Sequence, residues 1–320
     1  MSTISYEQIV QARAFLATYL PQTRLQETPT VSRVAHANVA LKLESEQPTG
    51  SFKVRGALHA LAVNLQRKKI LEVVTASTGN HGAAVAYAAS LLHVPCMVFL
   101  PVNPNPTKRG RIVALGANVK EAGRDLSEAA AYAAGHAERD GVYFLNDATD
   151  PDLPAGPATI ACEILEQRPS TDAFVVPVGD TALIRGIAAA VRQLRPEIRV
   201  IGVQAEGAAA YYQSWRAGKA VVPDPASTIA DGLAPQAPVA ENVDQIHHLL
   251  DDFCLVSDPE MLSTMRHLIL EERVLSEPAG AATTAALMYR KGFNFGKTPT
   301  AIVSGANISP QVLGCMSQTH

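Results

Sequence analysis

The chain has 320 residues, 47% of them hydrophobic, enough to bury one large core or two modest ones. Its net charge is only -3 and its 27 basic residues are scattered, which excludes a polybasic face for nucleic acid or an anionic membrane. Cys96, Cys162, Cys254 and Cys315 lie far apart without a Cys-x-x-Cys pair, so reduced thiols are expected rather than a zinc site or a disulfide framework. The N-terminus, with Glu7, lacks a basic-then-apolar signal pattern, and the longest apolar run, Ala83 to Leu100, is broken by Ser90, His93 and Pro95. A cytoplasmic protein is expected.

In chain order, the run Val39 to Leu43 reads as a strand, and Val54, Leu58 and Leu61 mark the buried face of a helix. Glu72 to Ala76 reads as a strand, Asn80 to Leu92 as a helix and Cys96 to Leu100 as a strand. The Pro101 to Pro106 turn opens another helix, and Gly116 to Val119 and Val142 to Leu145 complete this set. Asn146 to Pro157, rich in Asp and Pro, reads as a crossover between two halves. Beyond it, strands are expected at Phe174 to Val178, Val200 to Val203, Cys254 to Val256 and Thr300 to Val303. Helices are expected near Leu183 to Leu194, Pro259 to Glu272 and Ala279 to Tyr289. Short apolar runs alternating with alanine-rich helical stretches predict an α/β fold with largely parallel sheets.

Lys53 stands between that first strand and helix, in Gln47-Pro48-Thr49-Gly50-Ser51-Phe52-Lys53-Val54-Arg55-Gly56-Ala57. Withdrawn from water there, its amine would lose its preference for the charged form and become a nucleophile suited to Schiff-base chemistry; a solvated lysine capping a turn is the alternative. Ser77-Thr78-Gly79-Asn80-His81-Gly82 joins a strand to a helix, so its backbone N–H groups make a nest for a carboxylate, or simply an ordinary capped helix start.

Together with Glu277-Pro278-Ala279-Gly280-Ala281 and Ser304-Gly305-Ala306-Asn307, these segments resemble the fold type II pyridoxal-phosphate (PLP) enzymes, in particular the serine/threonine dehydratase and serine racemase group. The order and spacing of the four segments follow that family from about residue 20 to about residue 315. The resemblance implies a tryptophan synthase β-like fold: two open, mostly parallel sheets with flanking helices. It implies a small inserted domain, residues 72–149, within a larger PLP-binding domain formed by residues 1–71 and 150–320, with the cofactor in the cleft between them. It further implies that Lys53 holds PLP covalently, with cofactor contacts from Phe52, Asn80 and Ser304. The substrate would meet Ser77, Thr78, Gly79, Asn80 and His81. A serine rather than an aspartate at position 304 does not force the pyridine nitrogen to be protonated, which favours prompt loss of a β-substituent.

Two positions depart from the family pattern. Thr78 stands where serine racemases have a catalytic serine and many dehydratases have alanine; it can donate a proton, contact substrate or cap the helix, and substrate contact is the reading adopted. The phosphate loop, usually four glycines, is here Gly179-Asp180-Thr181-Ala182 before Leu183. The Cβ atoms make positive φ costly, so the loop is expected to change shape. Thr181 would replace a lost contact, and Asp180 would turn outward, toward Arg185. Facing inward at about 6 Å from the phosphate, its carboxylate would be repelled by about 3 kcal/mol per charge. No metal is expected, because Gln204 and Ala210 occupy the places of the family's carboxylate ligands and Glu206 reads as solvated.

The function expected is dehydration of a β-hydroxy amino acid, resembling threonine or serine or bulkier, to a 2-oxo acid and ammonia, with Lys53 as base. A racemase using Lys53 and Thr78 on opposite faces is the alternative, and a noncatalytic amino-acid or PLP-binding protein is the alternative of another class. The resemblance implies a homodimer, and the chain's end at residue 320 argues against an appended regulatory domain.

Overall fold

The computed structural model describes residues 4–222, 224–235 and 237–318. Its strands are β1 (Leu25–Glu27), β2 (Ala40–Leu43), β3 (Glu72–Ala76), β4 (Cys96–Leu100), β5 (Asn118–Glu121), β6 (Val142–Phe144), β7 (Ala173–Pro177), β8 (Arg199–Ala205), β9 (Asp252–Val256) and β10 (Pro299–Val303). A six-stranded sheet runs β1-β2-β10-β7-β8-β9 and is parallel except for the β1–β2 pair. A four-stranded, wholly parallel sheet runs β5-β4-β3-β6. The expected α/β architecture with two open sheets and flanking helices is thus present.

The larger sheet is apolar on both faces because helices cover both. Phe174 and Val176 of β7 pack with Ile184, Ile187 and Val191, while Val175 between them points to the opposite cluster with Val203, Ala281 and Ala285. The helix that begins at the lysine, Lys53–Arg67, buries Val54, Leu58 and Leu61 against Val85 and Ala88 of the helix Asn80–Leu91. Each such side chain contributes roughly 1.5–3 kcal/mol.

Two expectations are corrected. The crossover from residue 146 is shorter than expected, because a helix, Ala155–Gln167, already begins within it. Pro157 lies in its first turn, where a backbone N–H has no intrahelical acceptor to lose. The helix expected from Pro259 to Glu272 is an α-helix, Asp258–His267, continued by a π-helical turn, Leu268–Glu272. There the Glu272 carboxylate accepts hydrogen bonds from the Thr28 and Thr30 hydroxyls.

Helices 53–67, 155–167 and 182–194 touch backbone to backbone. A Cβ at Gly156 would lie 2.3 Å from the Arg55 carbonyl oxygen, and one at Gly186 would lie 2.2 Å from that of Pro154. This close approach brings Arg55 within reach of two carboxylates. Its Nε and Nη2 donate to Glu44 at 2.8 and 2.9 Å, and its Nη1 and Nη2 donate to Glu163 at 2.6 and 3.0 Å. Lys42 of β2, fully buried, adds Nζ to Glu163 at 2.6 Å and to the Thr23 carbonyl at 2.8 Å. Burial alone would raise the Glu163 pKa; Arg55, with Lys42 beside it, holds it below the ordinary carboxylate value.

Removing one member of such a network strands a buried charge, which typically costs roughly 3–5 kcal/mol. Urea unfolding of Arg55→Ala should therefore show a loss of that order. Arg24→Ala, which breaks the exposed Arg24–Glu46 pair, should cost less than about 1 kcal/mol. Equal losses would mean that the Arg55 network has no special weight.

Candidate active site

A cleft of about 570 Å³ opens where β2, β3, β6, β7 and β10 end. Among its lining residues are Phe52, Lys53, Ser77, Thr78, Gly79, Asn80, His81, Asp180 and Ser304, all singled out from the sequence, together with Asp147, which was not. Parallel strands direct their following loops to one edge, which gathers residues distant in sequence.

The lysine segment is pinned to the end of β10. Phe52 N–H donates to the Ser304 carbonyl at 3.0 Å, Ala306 N–H donates to the Gly50 carbonyl at 2.9 Å, and Ser51 forms a bridge with Gly305. Lys53 therefore projects into the cleft from the first turn of its helix, with its side chain only 12% exposed. Its Nζ donates to Asp180 Oδ2 at 2.8 Å and to Asp147 Oδ2 at 3.2 Å.

Both carboxylates alter what the sequence suggested. Burial by itself would depress the Lys53 pKa, but Asp180 and Asp147 outweigh it and hold the amine well above its ordinary value. Lys53 is thus a held ammonium and not the freed nucleophile expected from desolvation. Asp180 does not turn outward toward Arg185 but inward, because the Lys53 ammonium is its partner. Burial and the Asp147 charge push the Asp180 carboxyl above its ordinary value.

The loop after β7 holds one residue with a side chain, Thr181, at positive φ, the conformation expected to be costly there. Thr181 takes φ 73° and is the N-cap residue of the helix Ala182–Leu194. Its hydroxyl does not cap the helix but accepts from Arg185 Nε at 3.0 Å, leaving its own hydrogen free to donate. Thr181, Ala182 and Leu183 are 2%, 2% and 3% exposed and, with Gly179, form the loop behind Asp180 rather than the walls of the cleft.

At the opposite wall, the helix Asn80–Leu91 begins at Gly79 without a side-chain cap, so its first N–H groups face the cleft unclaimed by a cap. The Ser77 hydroxyl accepts from Gly79 N–H at 3.3 Å, and Thr78 is half-buried on the cleft wall. His81 Nε2 meets the Leu145 carbonyl at 3.0 Å, which places its proton there and leaves Nδ1 as a buried acceptor without a partner among the described residues. Asn80 donates to Glu277 Oε1 at 2.7 Å and accepts from Asn307 Nδ2 at 2.5 Å. Burial pushes the Glu277 carboxyl up to about 7, even though Asn80 and the Asn307 backbone favour its charge.

Glu277 and Asn307 lie inside two of the four family-like segments, and their sequence context alone shows no role for either. Asp147 lies within the stretch expected to be a crossover. Its available signal was position: it is an acid almost directly after β6, at the strand end where ligands bind.

The family model for pyridoxal-phosphate dependent enzymes matches residues 16–305. The L-threonine ammonia-lyase of Thermotoga maritima is 33% identical over 310 residues, covering 97% of this chain and 77% of that protein. The catabolic L-threonine dehydratase of Staphylococcus aureus is 33% identical over 309 residues, covering 95% and 89%. Among solved structures, maize serine racemase superposes with a TM-score of 0.92 at 27% identity, covering 99% of this chain and 97% of that one. Threonine deaminase isoform 2 of Solanum lycopersicum gives 0.88 at 29%, covering 98% and 88%. With Lys53 in the cleft and the fold matched over almost its whole length, the chain belongs to the pyridoxal-phosphate dependent enzyme family, in its serine/threonine dehydratase and racemase group.

Proposed function

We propose that the protein is a PLP-dependent ammonia-lyase that dehydrates a β-hydroxy amino acid of the threonine and serine type to a 2-oxo acid and ammonia. The observation that carries this reading is a lysine amine inside a cleft bounded by an uncapped helix start and a strand-end serine, in a chain 33% identical to a threonine ammonia-lyase.

The residues present fit the cofactor. Lys53 supplies the amine, Asn80 and Ser304 line the cleft on different elements, and the helix beginning at Ala182 is uncapped. PLP, when bound, supplies an electron sink for negative charge at the substrate Cα. The chain's own residues do the rest. The N–H groups of Thr78, Asn80 and His81 bind the substrate carboxylate, and the buried His81 acceptor shapes that pocket. Lys53 Nζ, once free, takes the Cα proton as a base. Asp147 and Asp180 hold that proton's charge at Nζ by accepting hydrogen bonds from the resulting ammonium. Ser304 offers a neutral hydroxyl, which keeps the sink moderate and favours departure of the β-hydroxyl.

A racemase is the second reading, favoured by the overlay on maize serine racemase and by the position of the Thr78 hydroxyl on the cleft wall. The same proposal takes the protein as a cytoplasmic homodimer. Its support is three buried free cysteines, Cys96, Cys162 and Cys254, and exposed leucines at 270 and 275.

Borohydride reduction of the cofactor-loaded protein followed by peptide mapping should label Lys53, and Lys53→Ala should release no ammonia. Across threonine, serine and phenylserine, 2-oxo acid and ammonia should appear together. Exchange of the α-hydrogen without ammonia would replace the lyase by a racemase, and binding without either reaction would remove both.

Because Asp180 helps to keep Lys53 protonated, Asp180→Asn apoprotein should take up PLP faster at pH 7, on the order of tenfold for each unit by which the lysine pKa falls. Stopped-flow absorbance measures this, and an unchanged rate would show that the ammonium is not the obstacle.

The Glu277 value in the folded protein lies above 4.5, its ordinary value, so the native state holds an extra proton between there and about 7. The associated stability is full below the lower value and is lost as pH rises through the upper one, a difference of about 3 kcal/mol. Urea unfolding of apoprotein at pH 5 and pH 8 should show that loss, and Glu277→Gln should remove it.

A further inference from the structure

Arg185 is a buried cation without a matching anion. It is 6% exposed, and no carboxylate lies within ion-pair distance of it among the described residues. Apart from Thr181, its partners are distant and neutral: Gln245 Oε1 at 3.4 Å and the Ala148 carbonyl at 3.5 Å. Burial outweighs the charges of Tyr211, Asp180 and Glu241 around it and brings its pKa down to about 10. A guanidinium left this way is costly unless something anionic joins it.

The place and the charge balance indicate what that anion is. Arg185 sits in the second turn of the helix Ala182–Leu194 and reaches back to its N-cap residue, Thr181. It also touches the segment that follows Asp147. Two carboxylates, Asp147 and Asp180, already face Lys53, and their ammonium partner is consumed when Lys53 bonds to the cofactor. A phosphate dianion entering beside them would meet net negative charge. Glycine amides, the usual answer in this family, are here reduced to one glycine.

We propose that Arg185, acting through and beside the Thr181 hydroxyl, is the counter-ion that holds the cofactor's phosphate in this chain. Arg185 Nε donates to Thr181 Oγ1; when the cofactor takes Lys53 from Asp180 and that side chain gives way, the Thr181 O–H behind it donates onward to a phosphate oxygen. The guanidinium supplies the positive charge that Asp180 would otherwise make unfavourable. The inference rests on the cofactor reading, not on the substrate, and it deepens the first without touching the second.

The test compares PLP with pyridoxal, which lacks the phosphate, by absorbance titration of apoprotein. Arg185→Met should weaken PLP binding by at least about tenfold and leave pyridoxal within about twofold, whereas Arg185→Lys should recover much of the PLP affinity. Unchanged PLP affinity in Arg185→Met, or equal losses for both ligands, would overturn the assignment. Arg185→Gln, which keeps a donor for Thr181 but no charge, stands in if the methionine variant does not fold, with the same outcomes read. In the wild-type holoprotein the phosphorus-31 resonance should stay constant from about pH 5.5 to 8, and a titration near the ordinary second phosphate pKa of about 6 would also overturn it. Borohydride capture at Lys53 and ammonia release are scored separately, so failure here leaves the lyase reading standing and failure there leaves this one measurable.

Discussion

Arg55 grips Glu44 and Glu163 with four charge-assisted hydrogen bonds, and the position of the lysine depends on that grip. Glu44 follows β2, Glu163 belongs to the helix after the crossover, and Arg55 lies two residues beyond Lys53. The network therefore locks the first turn of the lysine helix to both. Planar, bidentate pairing suits arginine, and a lysine at position 55 would satisfy only part of it. The neighbouring glycines make the geometry possible by letting helix backbones meet. An apolar substitute of equal volume could serve stability as well, but it would lack the directional bonds that fix the rotation of the helix and so the aim of Lys53.

Inside the cleft the electrostatics run opposite to a simple burial argument. Desolvation does act against the Lys53 ammonium, as its position between strand and helix suggested. Two carboxylates within 3.2 Å overcome it. An amine that is protonated at rest is a poor nucleophile but a good store for a proton, and catalysis asks for both states at different moments. On the proposed lyase reading, the same two acids stabilise the protonated amine after it has accepted the Cα proton. That reading gives the acidic pair a part in the reaction cycle as well as in the resting protein.

Much of this was legible in the chain. The apolar runs at residues 72–76 and 96–100 became β3 and β4 with the same bounds, because short runs between turn signals leave few alternatives. Lys53, Asn80, His81 and Ser304 came together because each follows or precedes a strand end, and parallel topology collects such ends. What stayed hidden were charges whose partners are remote in sequence. Lys42 reads as the polar member of an alternating strand yet is fully buried, because Glu163, 121 residues away, neutralises it. Asp180 reads from sequence as outward-facing for the same reason, since its ammonium partner is 127 residues away. Local patterns report periodicity; they do not report which distant charge will be present.

The loop after β7 carries side chains at three of the four positions where glycines were expected, and each has a local setting. Gly179 is retained for space rather than for torsional freedom: a Cβ there would lie 2.2 Å from the Gly232 carbonyl oxygen, and its φ is not positive. The left-handed position is two residues later, at Thr181, where a side chain typically costs on the order of 1–3 kcal/mol. Threonine is a poor choice for that conformation unless its hydroxyl is used, and the bond from Arg185 uses it. Ala182 packs into the core beneath the lysine helix, so it needs a methyl group rather than none. Each departure from glycine thus has its own local reason: contact with Lys53 at 180, a bond to Arg185 at 181 and core packing at 182. The strained residue and the unmatched guanidinium are joined by one hydrogen bond, and strain persists where surrounding contacts over-determine it. That coincidence makes the loop a rebuilt anion site rather than a decayed one.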